Sequence, residues 1–455
     1  MDPPFNEIYK NLLFKQITNT ENNVPQIPFS FSITAVVEEV ELPLIDVSRL
    51  IDGAEKEREI CKEEIARASR EWGFFQVINH GISMDVLEKM RQEQIRVFRE
   101  PFDKKSKSER FSAGSYRWGT PSATCLRQLS WSEAFHVPMT DISDNKDFTT
   151  LRSTMEKFAS ESEALAYTLA EVLAEKSGRK SNFFKEKCVR NTCYLRMNRY
   201  PPCPKPSEVY GLMPHTDSDF LTILYQDQVG GLQLIKDNRW IAVKPNPRAL
   251  IINIGDLFQA WSNGMYKSVE HRVMTNPTVE RFSTAYFLCP SYDAVIECSG
   301  DCPTYRNFSF REFRQQVQED VKKLGYKVGL PRFSILSLDI LGPITDAVSS
   351  HLGANPSDGR LIQKNRSNEF TIKHDGNLPN NLEKADIVLV GVSRTGKTSC
   401  SILSLKVSNV PISNGVELPK TLKVFGLMIN PVELQGIREA RAKIICLGSS
   451  LDFGE

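Results

Sequence analysis

The chain has 455 residues, with 57 lysines and arginines against 56 aspartates and glutamates, a formal net charge of +1. That balance excludes a general electrostatic grip on nucleic acid or an anionic membrane. With 25 % charged and 40 % apolar residues, it also excludes wholesale disorder, a collagen-like repeat or a coiled coil, and the length predicts two or three domains.

The longest apolar runs, such as 249–252 and 387–392, fall far short of the roughly 20 residues that cross a bilayer. Met1-Asp2-Pro3-Pro4 lacks the basic-then-apolar pattern of a secretory leader. Ten cysteines show no paired CxxC spacing, which predicts reduced thiols in a cytoplasmic enzyme.

In chain order, residues 1–39 are polar and weakly patterned, a loosely attached, mobile arm. A short strand at 43–47 precedes a helix at 55–72, whose Cys61, Ile65, Ala68 and Trp72 share a face and which stops at Gly73. A strand at 74–78 ends at Asn79-His80-Gly81, and a helix covers 84–99. The stretch 111–129 is irregular. From 149 to 176, Leu151, Met155, Phe158, Leu165, Leu169 and Val172 make one stripe of a long core helix.

The period then shortens. Strands are predicted at 192–200, 221–225, 232–235, 240–243, 250–254, 268–273, 281–288 and 294–297. Eight short strands at this spacing predict a double-sheet jelly roll, a double-stranded β-helix, closed by a helix at 310–324. The tail predicts a helix at 336–351, a linker at 353–383, a strand at 386–390 and a helix at 431–443. The reading is a mainly β protein with flanking helices. It has an arm (1–39), an N-terminal α/β domain (40–140), a long core helix (141–190), the jelly roll (191–335) and a small α/β tail (336–455).

Only six histidines occur in the chain. His215-Thr216-Asp217 opens a predicted β segment, where alternation places the imidazole and carboxylate on one face. His271 lies on a later predicted strand. Two imidazoles and one carboxylate suit a facial triad for non-haem Fe(II), and the same set also suits zinc. Arg281 and Ser283 follow on the next strand, while Asn198 and Tyr200 come from an earlier one. A guanidinium buried in a barrel implies an acidic small molecule.

Taken together, Asn198-Arg-Tyr200-Pro-Pro-Cys, His215-Thr-Asp217, His271-Arg-Val and Arg281-Phe-Ser283 resemble the plant 2-oxoglutarate- and iron(II)-dependent dioxygenases. The likeness extends over roughly residues 40–335, since Leu42-Pro-Leu-Ile-Asp and Trp72-Gly-Phe-Phe-Gln-Val-Ile-Asn-His-Gly81 look like that family's N-terminal part. The resemblance implies Fe(II) on His215, Asp217 and His271. It implies 2-oxoglutarate on Arg281 and Ser283, with Tyr200 and Asn198 assisting, O2 as co-substrate and ascorbate as reductant. His80 and His136 read as structural.

The stretch 116–138 looks like the gibberellin 2-oxidases, especially the subgroup acting on C20 precursors. This implies 2β-hydroxylation, and so inactivation, of a carboxylated diterpenoid hormone. On this reading Arg127 or Arg117 meets the substrate carboxylate and Tyr116 packs its rings. Other readings are a flavonoid- or alkaloid-type dioxygenase, or a small-acid binding module without activity. Neither nucleic acid nor membrane is expected as a partner.

In the tail, Gly391-Val-Ser-Arg-Thr-Gly396-Lys397-Thr398 matches a phosphate-binding loop after the predicted strand at 386–390. Such a loop requires a following helix, yet 399–408 runs quickly into Val410-Pro411. The segments 338–343, 373–376, 385–398 and 409–419 resemble the C-terminal half of the pyruvate, phosphate dikinase regulatory proteins, with Gly376 where that family has a second Asp. That resemblance implies ADP or ATP in the tail and a serine/threonine kinase–phosphotransferase acting on pyruvate, phosphate dikinase.

Overall fold

The structure is a computed structural model. It describes residues 2–14 and 37–335 apart from short gaps (108–110, 113, 122, 145–148, 181 and 299–301), together with five strands of the tail. The chain forms two compact units, the first ending at Ile335 and the second beginning at Leu336.

Among the described residues of the first unit, thirteen strands build two sheets. They are β1 (Glu39–Val40), β2 (Leu44–Asp46), β3 (Phe74–Ile78), β4 (Tyr116–Trp118), β5 (Glu133–Pro138), β6 (Tyr194–Tyr200), β7 (Tyr210–His215), β8 (Leu221–Gln226), β9 (Leu232–Lys236), β10 (Arg239–Val243), β11 (Leu250–Ile254), β12 (His271–Met274) and β13 (Arg281–Leu288). The large sheet runs β2-β3-β11-β8-β13-β6-β5-β4 and the small one β1-β10-β9-β12-β7.

Alternation along β6 and β13 sets the architecture. Leu195, Met197, Phe282 and Tyr286 point to a core they share with residues of the helices Glu55–Glu71, Met84–Phe98 and Thr149–Lys176. On the opposite face Tyr200 joins Leu232, Leu234, Val243, Ile251 and Val273 in a cluster drawn from both sheets. The sheets therefore pack face to face as a jelly roll, and the even-numbered residues of β6 meet the odd-numbered residues of β13 inside it. The helices have ordinary ends: Ser83 and Ser309 cap Met84–Phe98 and Phe310–Leu324 by accepting from Val86 N and Glu312 N.

Three features go beyond the sequence reading. The segments 40–140, 141–190 and 191–335 lie in one compact unit, in which β2 to β5 extend the large sheet and share its core. The residues Val295–Ile296 pair with Phe308–Ser309 outside both sheets. The start of the arm is anchored: Phe5, Tyr9 and Leu13, spaced one helical turn apart, are buried with Leu129, Trp131 and Val209. Phe5 stacks on Trp131 at 4.4 Å, and Asp2 pairs with Arg199 at 2.7 Å. The rest of the arm, 15–36, lies outside the described residues.

In the second unit, Ile387–Val392 pairs in parallel with both Leu422–Ile429 and Lys443–Leu447, as an α/β segment requires. The helix predicted at 336–351 lies outside the described residues, as does the one predicted at 431–443 except for Lys443, which begins the strand Lys443–Leu447. Among the described residues no helix is long and apolar enough to cross a membrane.

Two histidines outside the metal constellation make the fold acid-sensitive. Burial pushes His80 down to about 4, and burial together with Arg196, Arg117 and Arg314 does the same to His136. Below the ordinary value of 6.5 the unfolded chain binds protons that these folded imidazoles refuse, so stability falls as pH drops from 6.5 towards 4. The Tm is expected to be lower at pH 5 than at pH 7.5, and His136→Gln to flatten the difference; equal Tm values would contradict this.

Candidate active site

His215 closes β7 and His271 opens β12, and the two residues are paired across these antiparallel strands. Their rings lie 4.3 Å apart, with Phe74 edge-on to His271 at 5.1 Å. Asp217 comes from the turn after β7, not from a strand beginning at His215, so alternation is not what aligns it. The turn is folded back by Asp256 N donating to Asp217 O at 2.9 Å. Ligand atoms of His215, Asp217 and His271 all lie within 4.8 Å of one another.

Each ligand is held by its other polar atom. The Nδ1 atoms of His215 and His271 sit 2.8 and 3.0 Å from the carbonyls of Met213 and Val269. That contact fixes Nδ1 as the donor and leaves Nε2 bare, 3.7 and 3.8 Å from Asp217 Oδ1. Burial and the neighbouring His271 push the His215 imidazole down, keeping it neutral and available as a ligand. Burial would raise the Asp217 carboxyl, but the imidazoles and two hydrogen bonds outweigh it and bring the group down.

Those bonds reach Asp217 Oδ2 from Thr222 Oγ1 at 2.6 Å and Asn253 Nδ2 at 2.8 Å, leaving Oδ1 for a metal. Thr222 also lies 2.9 Å from Asp219 Oδ2. Its hydroxyl is thus shared between the two carboxylates, and burial and the Asp217 charge raise the Asp219 carboxyl. Gly255 permits this packing, because a Cβ there would lie 2.0 Å from Asp219 Oδ1. Replacing Thr222 by Val is expected to weaken iron binding by about 10- to 100-fold. An unchanged iron Kd in anaerobic titration would contradict that role.

The same cavity, about 270 Å³, holds the cosubstrate residues. Register pairs Arg281 with Tyr200 and Ser283 with Asn198 across β13 and β6. Arg281 is 2 % exposed, and among the described residues no carboxylate pairs with it. Its Nη2 donates to Gln226 Oε1 at 2.7 Å and its Nη1 to Ser283 Oγ at 3.4 Å, while Nε has no partner. The Tyr200 ring lies 4.9 Å beneath the guanidinium, in space that Gly211 leaves open. Gln226 Nε2 is also buried and without a partner. A buried cation with orphaned donors at its edge fits a small carboxylate, and three converging ligands fit one metal ion.

The other sequence-predicted residues stand apart from this cavity. Tyr116 donates to Glu133 within a buried network that includes Lys105 and Arg199. Arg117 and Arg127 are exposed, Arg117 donating to Gly114 O. The cavity's remaining cations are Arg196 and Lys327, the latter held by Asp256 Oδ2 at 2.6 Å and Thr216 O at 2.8 Å. Thr222, Asn253, Gln226 and Arg196 carry no motif, and only strand register reveals them. In the tail, Gly391 belongs to the strand Ile387–Val392, and Gly396, Lys397 and Thr398 lie outside the described residues. The segment expected to follow as a helix contains the strand Ser401–Lys406, antiparallel to Leu422–Ile429.

Comparison with known proteins matches these features. The family profile of the 2OG-Fe(II) oxygenase superfamily covers residues 189–290, and that of the non-haem dioxygenase in morphine synthesis N-terminal covers 42–156. The Kinase/pyrophosphorylase profile covers 317–453, so the chain joins an oxygenase to a segment of a second family. The chain is 91 % identical over 333 residues to gibberellin 2-beta-dioxygenase 8 of Arabidopsis thaliana, across 73 % of this chain and 98 % of that protein. It is 49 % identical over 344 residues to gibberellin 2-beta-dioxygenase 6 of Oryza sativa subsp. japonica, across 73 % and 96 %. The crystal structure of JOX2 in complex with 2OG, Fe and JA is similar at 33 % identity and TM-score 0.53, covering 65 % of this chain and 90 % of that one.

Proposed function

Because the chain belongs to the 2OG-Fe(II) oxygenase superfamily and, within it, to the gibberellin 2-beta-dioxygenases, we propose that it hydroxylates gibberellins at the 2β position and so inactivates them, acting on those that retain C-20. The balance is one C–H bond, one O2 and one 2-oxoglutarate converted to one C–OH, succinate and CO2. The observation that carries the reading is the buried Arg281, without a carboxylate partner, in the cavity of the His215–Asp217–His271 cluster.

His215 and His271 Nε2 and Asp217 Oδ1 would hold Fe(II), which supplies the oxidising chemistry when it is bound with the keto acid. Arg281, Ser283 and Gln226 bind the distal carboxylate, and Tyr200 covers the guanidinium and keeps water from it. Tyr194, Phe287, Leu212 and Leu224 give the cavity an apolar wall on which a hydrocarbon ring system is oriented.

Incubating the full chain with Fe(II), ascorbate and 2-oxoglutarate against a panel of gibberellins and flavonoids tests this. Equal amounts of succinate and 2β-hydroxylated gibberellin are expected, both requiring iron and O2. Products from flavonoids with gibberellins untouched would overturn it.

A further inference from the structure

The cavity contains a second cation that no motif marks. Arg196 sits on β6 two residues before Asn198, on the same inward face, opposite Ala285 of β13. Its Nε donates to Asn198 Oδ1 at 2.8 Å, and among the described residues no carboxylate pairs with its terminal nitrogens. Asn198 is thereby fixed: Nδ2 faces Ser283 Oγ at 3.5 Å, and Ser283 also accepts from Arg281 at 3.4 Å. Two guanidinium groups thus stand at two points of one polar row, Arg281 at the cosubstrate end and Arg196 further along it.

What surrounds Arg196 suits an amphipathic acid. Tyr194 and Phe287 stack at 4.4 Å and 13°, and His136 lies 4.1 Å from Tyr194 on its other side. His136 is paired with Arg196 across β5 and β6. Burial, with Arg196, Arg117 and Arg314 adding to it, lowers the His136 imidazole, so Arg196 is the charged member of that cross-strand pair.

Resting on the function proposed above, we infer that Arg196 binds the carboxylate of the gibberellin, with Asn198 as the positioning residue that aims it. The exposed Arg117 and Arg127, outside the cavity lining, do not fill this role. An arginine fork matches a carboxylate in two hydrogen bonds, and a methyl ester keeps the carbon skeleton while removing the charge.

The test is anaerobic calorimetric titration of the full chain, loaded with Fe(II) and 2-oxoglutarate, with a gibberellin acid and with its methyl ester. The wild-type protein is expected to bind the acid about 10- to 100-fold more tightly, as loss of a charge-assisted pair implies. Arg196→Met should bring the acid to the ester's affinity, and Arg196→Lys should recover part of the preference. Asn198→Ala should narrow the acid-to-ester ratio with Arg196 still present. Equal wild-type affinity for acid and ester, or an unchanged ratio in Arg196→Met, would overturn the inference alone; an unchanged ratio in Asn198→Ala would remove the positioning role. Failure of the wild type to bind any gibberellin would overturn the functional reading beneath it.

Discussion

Replacing His271 by alanine leaves iron-dependent succinate formation at background. His271 provides one of three ligand atoms gathered within 4.8 Å, and the alanine methyl group offers no donor atom in its place. If loss of a supporting hydrogen bond costs about 10- to 100-fold in metal affinity, loss of a ligand costs more, and the Fe(II) Kd is expected to rise beyond about 100-fold. The fold should persist, because the β12 backbone ladder to β7 and β9 and the cluster of Leu232, Leu234 and Val273 remain in place. An unchanged melting profile with weakened iron binding is therefore the signature. Full turnover in His271→Ala would place the metal elsewhere.

The second large effect is at Arg281. Methionine there keeps apolar bulk above Tyr200 but removes the guanidinium that pairs the distal carboxylate by charge. The distal carboxylate would then be buried without a counter-ion, which costs about 3–5 kcal/mol, roughly 10²- to 10³-fold or more in the 2-oxoglutarate Kd. Stability should respond in the opposite sense. Without cosubstrate, Arg281 is a buried cation with no carboxylate partner among the described residues, so Arg281→Met should melt no lower than the wild type. It should, however, lose the Tm increase that 2-oxoglutarate gives the wild type through binding to the native state. A variant that keeps that increase would show that the cosubstrate binds elsewhere.

The residues that make up motifs were legible in the sequence, because chemistry restricts their types. His215, Asp217, His271, Arg281 and Ser283 carry donor sets that few other functions require, and the structure gathers them. Alternating runs also exposed β6, β8, β11 and β13. β7 was harder to see, since Gly211 and Pro214 interrupt its pattern; it pairs because β12 supplies the other side of the ladder. Arg196 looked like any charged residue in a strand. What distinguishes it is its inward face and its place next to Asn198, which depend on the β6–β13 register.

Elsewhere the local signal has a tertiary context that the sequence does not show. Residues 2–14 looked polar, but Phe5, Tyr9 and Leu13 find a buried aromatic seat at Trp131. Arg117 and Arg127 are near substrate-like motifs in sequence yet lie on the exposed side of their segment. In the tail, Gly391 to Thr398 has the spacing of a phosphate-binding loop, of which Gly396, Lys397 and Thr398 lie outside the described residues, and Ser401–Lys406, with Ile402, Leu403 and Leu405, joins a sheet.

The most direct measurement is anaerobic absorption titration of the full chain with Fe(II) and then 2-oxoglutarate. A charge-transfer band from the keto acid chelated to ferrous iron should appear at one equivalent of each, vanish in His271→Ala, and require far more 2-oxoglutarate in Arg281→Met. A wild-type protein that forms no such band, or one that forms it unchanged in both variants, would contradict the assignment of this cavity to iron and its keto acid.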